Sequence, residues 1–104
     1  MHQLPFGATL TEALVDVIKS TRKQCAQESP DLGLSLQWCG VKSADEQTPW
    51  QLFALERKYL QSDDILTVDG VAVHIAPDTR TRSIGKTLDW QKGVGVVEIE
   101  TPTI

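Results

Sequence analysis

The dipeptide Asp69-Gly70 is the feature that most limits how this chain can fold, because it lies directly between two β-rich runs. The runs are Ile65–Val68 and Val71–Ile75, and both contain the branched apolar residues that favour strands. A two-residue type I′ turn needs positive φ at both central positions, which Asp and Gly tolerate. The pattern therefore predicts a tight antiparallel hairpin over residues 65–75.

The first third of the chain has the pattern of one long amphipathic helix. Thr9 and Glu12 form a capping box, and Thr11 is a competing cap. Core-type residues then recur at helical spacing, namely Leu10, Leu14, Val17, Ile18, Thr21 and Cys25. We expect the helix to run to about Gln27, because the Ser-Pro pair that follows disfavours helical dihedrals.

The order of the remaining elements predicts an α+β fold. Strands are predicted at residues 34–38, 50–60, 65–68, 71–75, 87–90 and 94–100, with a polar loop over 40–49 and a short helical turn over 77–85. Because no long crossover separates most strands, the pairing should be mainly antiparallel or mixed. We expect a single domain over residues 1–104, with residues 1–8 as a lead-in and one main N-terminal helix packed on a twisted sheet. Its core should contain Trp38, Trp50 and Trp90.

Charge and chain start restrict the class of partner. The formal net charge of −4 argues against a general nucleic-acid binder, which needs a net basic face. Neither a cationic start nor an apolar run of secretory length follows Met1, so no signal peptide and no membrane-spanning segment are predicted. We expect a cytoplasmic protein that binds neither nucleic acid nor membrane.

Four cations form a local exception to this acidic balance. Arg80, Arg82, Lys86 and Lys92 cluster within 13 residues. Such a cluster usually forms a solvated corner of the surface. The alternative is a docking patch for an acidic partner protein.

The two cysteines predict reduced thiols rather than a disulfide framework, because no secretory signal is predicted. Cys25 continues the apolar stripe of the helix and is expected in the core. Cys39 precedes Gly40 at a strand end, where it is either an incidental thiol or a contact for a labile metal or cluster.

No other residues form a recognisable catalytic or metal-binding pattern. His74 has no ligand-type neighbour at a useful spacing, so we expect a surface or interface histidine. Asp63 and Asp64 are expected to cap a turn, and Asp89 to make a structural hydrogen bond. With no Ser/His/Asp or Cys/His nucleophile pattern, the chain is not predicted to be an enzyme.

The segment from Asp63 to residue 102 resembles the HesB/IscA-like domain of A-type iron–sulfur cluster carriers. The resemblance is carried by Asp64, Gly70-Val71-Ala72-Val73, Ile84-Gly85, Leu88-Asp89-Trp90 and the glycine-rich segment 93–102. More loosely, it extends back to residue 8 through the helix start and the segments around Leu34 and Trp50. The resemblance implies the HesB-like fold, one main helix on a mixed sheet.

The chain departs from this family in its metal ligands. Family members hold iron or a cluster with one loop cysteine and a C-terminal Cys-Gly-Cys. Here the last residues are Pro102-Thr103-Ile104, Ser43 falls near the loop-cysteine position, and Cys39 lies four residues earlier. Clusters are usually held by four thiolates, and a serine hydroxyl substitutes poorly for one of them.

The resemblance implies a non-enzymatic accessory role in iron–sulfur cluster biogenesis, without a resident cofactor. The chain would dock iron–sulfur apoproteins or carriers, with the corner of Arg80, Arg82, Lys86 and Lys92 as one candidate surface. One alternative is a carrier of iron or an iron–sulfur cluster that uses Cys39 across a homodimer, together with an outside thiol such as glutathione. Another is a reused fold that serves as an unrelated interaction domain.

Overall fold

The computed structural model describes residues 2–40 and 48–99. Along the chain the elements are β1 (His2–Gln3), β2 (Thr9–Leu10), α1 (Glu12–Glu28), β3 (Leu32–Trp38), β4 (Trp50–Glu56), β5 (Ile65–Val68), β6 (Val71–Ile75), α2 (Pro77–Ser83), β7 (Thr87–Gln91) and β8 (Gly95–Ile99). Two single 3-10 turns, Arg57–Tyr59 and Ser62–Asp64, connect β4 to β5.

The strands form two four-stranded sheets. The first sheet has the order β1-β2-β7-β8 and the second has the order β4-β3-β6-β5. Each contains one parallel pair, β2 with β7 and β3 with β6, among antiparallel neighbours. The predicted α+β class with mixed pairing is therefore confirmed, and the strands are divided between two sheets where the sequence indicated one.

The start of α1 is set by Thr11, the second of the two predicted caps. Its hydroxyl oxygen accepts a hydrogen bond from the Leu14 backbone N–H at 3.3 Å and donates to an Asp89 carboxylate oxygen. Thr9 instead lies in β2, opposite Thr87 of β7. Asp89 thus makes the structural hydrogen bond expected of it, and this bond ties the helix to the first sheet.

One hydrophobic core serves both sheets. The helix contributes Leu14, Val15, Ile18 and Cys25, and the second sheet contributes Leu34, Leu36, Val73 and Ile75, all almost fully buried. Trp50 is 1% exposed, and its indole N–H donates to a Glu98 carboxylate oxygen at 3.1 Å. Trp38 and Trp90 are only half-buried at the margin of this core.

The predicted hairpin is confirmed, with positive φ at both Asp69 and Gly70 and with Val68 opposite Val71. The strand predicted over 50–60 is too long, because it ends at Glu56. Beyond that point the Arg57 N–H donates to the Asp31 carbonyl oxygen at 2.8 Å, and the chain turns back across the sheet. No helix in the described part of the chain is long and apolar enough to cross a membrane.

Candidate functional site

The second sheet has two faces of different character. Leu34 lies beside Val73, and Leu36 beside Ile75, on the face covered by α1. On the opposite face, Ser35 lies between Phe53 of β4 and His74 of β6. We call this opposite side the outer face; it carries Gly33, Ser35, Phe53, Leu55, Ile65, Ala72 and His74.

The outer face carries exposed apolar side chains on its two edge strands. Phe53 on β4 and Ile65 on β5 are each 37% exposed, and Leu55 lies half-buried next to Phe53 on β4. Single exposed apolar residues are ordinary on protein surfaces. Phe53 and Leu55 are neighbours at one edge of this face, whereas Ile65 lies at the opposite edge, beyond Ser35 and His74. Clustered exposed apolar side chains are typical of a surface that another protein covers.

A buried chain of polar groups crosses the middle of this face. The Gln37 amide donates to Ser35 Oγ at 2.9 Å, and Ser35 Oγ lies 3.0 Å from His74 Nδ1. His74 Nε2 is 3.8 Å from an Asp64 carboxylate oxygen, and Asp64 forms an ion pair with Arg80. Ser35 is 0% exposed and His74 is 7% exposed, so the chain is shielded from solvent.

His74 was predicted at the surface or at an interface, and the surface position is wrong because the side chain is buried. Parallel pairing places Ser35 of β3 beside it, and the turn Ser62–Asp64 brings a carboxylate to its other side. Neither contact has a local sequence signal, since Ser35 and His74 are 39 residues apart.

The grouping of Ser35, His74 and Asp64 does not have the geometry of a catalytic triad. In a triad, histidine Nε2 faces the serine and Nδ1 binds the carboxylate at hydrogen-bonding distance. Here Nδ1 faces Ser35, the Asp64 contact at 3.8 Å exceeds a hydrogen bond, and the serine is fully buried. The chain of polar groups satisfies buried donors and acceptors of the sheet.

A cleft of about 180 Å³ opens next to this polar chain, over Gly33. Leu60, Ile65 and Ala72 form apolar walls, and Arg22 and Arg57 stand at its rim. We call it the Gly33 cleft. Nothing in the sequence pattern indicated it, because the 3-10 turn that supplies Arg57 was predicted as strand.

The four predicted docking cations do not form one surface. Arg80 is paired with Asp64, and the Arg82 guanidinium stacks 4.1 Å from the centroid of the Trp38 ring. Lys86 lies 3.5 Å from a Glu98 carboxylate oxygen before β7 begins. Lys92 comes directly after β7, so the length of this strand separates Lys86 from Lys92 by about 20 Å. Docking of a partner through these four cations stays a prediction, although the cations do not lie together on one surface.

The two cysteines occupy different environments. Cys25 is 4% exposed in α1, as expected of a core residue. Cys39 is half-buried after β3, and its backbone N–H donates to the Pro49 carbonyl oxygen at 2.7 Å. Within the described ranges, no three His, Cys, Asp or Glu side chains are grouped to hold a metal ion. Ser43 lies outside the described residues.

Comparison with known proteins identifies a related architecture. The chain is similar to a protein from Aquifex aeolicus whose solution NMR structure was determined by a structural genomics consortium, with a TM-score of 0.60 and 18% identity. The similarity covers 97% of each chain. No protein-family model matches the sequence, and no curated protein matches it. At this level of identity, the similarity shows a shared fold.

Proposed function

We propose that this chain is a non-enzymatic docking domain of iron–sulfur cluster biogenesis, which binds apoproteins or cluster carriers through the outer face. The observation that carries the docking role is that Phe53 on β4 and Ile65 on β5, at the two edges of one sheet face, are apolar and each 37% exposed. The iron–sulfur partner class is supported by the resemblance of residues 63–102 to HesB/IscA-like domains.

A docking role agrees with the positions of the two thiols. Docking needs no resident metal ligand, and Cys25 is committed to the core. Binding energy in protein interfaces is concentrated in a few well-packed apolar and aromatic anchors. Phe53 is the natural anchor here, because it is aromatic and lies on β4, the last strand of the second sheet in the described part of the chain.

The second candidate is a carrier of iron or an iron–sulfur cluster. It is favoured by the half-buried Cys39, which follows the end of β3 and is the more exposed of the two thiols. Two such thiols from a homodimer and two from glutathione would supply the usual four thiolates. A reused fold with an unrelated partner remains the third candidate.

Binding to purified partners tests the docking role. The full chain is immobilised and exposed to a purified apo-ferredoxin and a purified cluster scaffold, beside the variants Phe53→Asp and Ile84→Asp. Ile84 is a matched control, because it is apolar and 58% exposed but lies near Gly7, at the first sheet. We expect binding that is lost in Phe53→Asp and kept in Ile84→Asp.

Iron retention separates the second candidate from the first. After anaerobic reconstitution with iron and sulfide and desalting, a docking domain should be colourless. Bound iron and sulfide that disappear in Cys39→Ser would instead establish the carrier. Absence of both iron retention and partner binding would leave the reused fold.

A further inference from the structure

We infer that the Gly33 cleft recognises an acidic peptide segment of a partner protein, with one apolar side chain in the cleft and carboxylates on Arg22 and Arg57. This inference rests on the proposed docking function and names the chemistry of the segment that is docked. The cleft includes Ile65 of the outer face, and its role is separate from anchoring by Phe53 at the other edge of the sheet.

The size of the cleft selects a side chain rather than a whole small molecule. Pockets for drug-sized ligands usually enclose about 300–1,000 Å³, whereas this cleft measures about 180 Å³. Leu60, Ile65 and Ala72 give it apolar walls, so a leucine-like side chain would be buried against matching surface. A single anchor of this kind is how a short peptide segment gains affinity from a shallow site.

The charges at the rim select a partner of acidic character. Four basic side chains in the described part have a carboxylate partner: Lys19 binds Asp69, Lys58 binds Glu56, Arg80 binds Asp64 and Lys86 binds Glu98. Neither rim arginine has a carboxylate within 4 Å among the described residues. Two arginines at one apolar cleft are thus a local positive site on a chain of net charge −4.

Arg22 is held by its guanidinium and Arg57 is positioned by its stem, and neither contact neutralises the charge. Arg22 donates one guanidinium N–H to the Leu32 carbonyl oxygen at 3.3 Å, which fixes its head and leaves further donors free. The stem of Arg57 passes close over Gly33, because a Cβ at Gly33 would lie 3.4 Å from Arg57 Cγ. Guanidinium groups bind carboxylates with paired, charge-assisted hydrogen bonds.

An NMR titration of the full 15N-labelled chain tests this inference with defined probes. The main probe is the capped peptide Glu-Glu-Leu-Glu-Glu. One control peptide replaces each Glu with Lys, a second replaces the Leu with Ser, and 4-methylpentanoate supplies the same apolar carboxylate without a peptide. The readout is saturable shift change at the amides of Gly33, Leu60 and Ala72.

We expect the main probe to shift these amides and both control peptides to bind at least about tenfold more weakly, since each lacks one half of the recognition. Arg57→Glu should weaken the main probe by about tenfold. Lys58→Glu should leave its affinity unchanged, because Lys58 points to Glu56 and the Tyr59 ring.

Two results would overturn the inference. The first is an absence of cleft shifts, or shifts that are the same for the acidic and the basic peptide. The second is 4-methylpentanoate binding as tightly as the main probe, which would identify a small-carboxylate site. Capture of an iron–sulfur protein without any peptide response would leave the docking role standing alone. Peptide binding without such capture would keep the cleft assignment and remove the iron–sulfur role.

Discussion

Leu60 lies so close over Gly33 that a Cβ added to the glycine would be 2.8 Å from Leu60 Cδ1. Gly33 has no positive φ, so the absence of a side chain serves this close approach rather than a special backbone conformation. The contact folds the turn Arg57–Tyr59 and the residue after it back onto β3. The Gly33 cleft exists because of this approach.

Gly33→Ala should reshape the cleft while leaving the fold intact. The clashing atom is the tip of a flexible side chain, which can change rotamer at a cost of about 0.5–1.5 kcal/mol. Replacing a strand glycine returns about 0.5–1 kcal/mol. We therefore expect a change in the free energy of unfolding of no more than ~1 kcal/mol in urea melts, together with weaker binding of the acidic probe peptide.

Leu60→Ala in the Gly33→Ala background is the control, since it removes the clash. The double variant should lose less free energy of unfolding than the sum of the losses in Gly33→Ala and Leu60→Ala. Unchanged peptide affinity in Gly33→Ala would contradict the assigned role of the close approach.

The ion pair between Asp64 and Arg80 should contribute measurably to stability. Asp64 has a side chain only 13% exposed, and Arg80 Nε is buried with no hydrogen-bond partner among the described residues. The Arg80 guanidinium therefore relies on the Asp64 carboxylate to balance its charge. We expect Asp64→Asn to lower the free energy of unfolding by about 1–2 kcal/mol.

Asp63→Asn is the matched control, because Asp63 is exposed in the same turn. It should change the free energy of unfolding by less than about 0.5 kcal/mol. Equal effects of the two substitutions would show that the pair contributes no more than an ordinary surface charge.

Local sequence signals were sufficient to predict the elements whose contacts are between residues close together in the sequence. The Asp69-Gly70 turn, α1 and the helical turn that begins at Pro77 all follow from residues within a few positions of one another. The α+β class followed from their order. Each of these elements needs no knowledge of a distant partner.

What the sequence could not indicate is the pairing of distant strands. The parallel pairs β2–β7 and β3–β6 divide the strands between two sheets, and the second pair buries His74 beside Ser35. A parallel ladder joins segments through long connections and leaves no short-range pattern. The overlong prediction for β4 has the same origin, because its end is fixed by the bond from Arg57 to Asp31.

The two thiols should differ strongly in reactivity. Cys39 is half-buried and follows β3, whereas Cys25 is only 4% exposed, on the side of α1 that packs in the core. We expect a thiol-reactive aromatic disulfide to modify Cys39 quickly in the native protein and Cys25 only after unfolding. Cys39→Ser should abolish the fast phase, and equal rates for both thiols would contradict the positions assigned to them.

The contact between Lys19 and Asp69 should make stability depend on pH in a defined direction. Their side chains meet at 2.7 Å and join α1 to the hairpin turn. The hydrogen bond from Lys19 and its charge lower the pKa of Asp69, and the same contact raises the pKa of Lys19. A lowered carboxyl pKa stabilises the fold above about pH 4, and this contribution is lost as the pH falls through the folded pKa. The raised pKa of Lys19 stabilises the fold below the pH range in which lysine ordinarily titrates. This stabilisation is lost as the pH rises through the pKa of Lys19 in the folded protein.

Thermal melts of the native chain, Lys19→Gln and Asp69→Asn between pH 3 and pH 8 measure this contribution. Asparagine also tolerates the positive φ of the turn, so Asp69→Asn removes the charge and keeps the hairpin. We expect each variant to melt below the native chain at pH 7, with a gap that narrows at pH 3. Because both side chains are nearly half exposed, high salt should narrow the gap at pH 7 as well. A gap of the same size at both pH values would mean that the pair does not stabilise the junction between helix and hairpin.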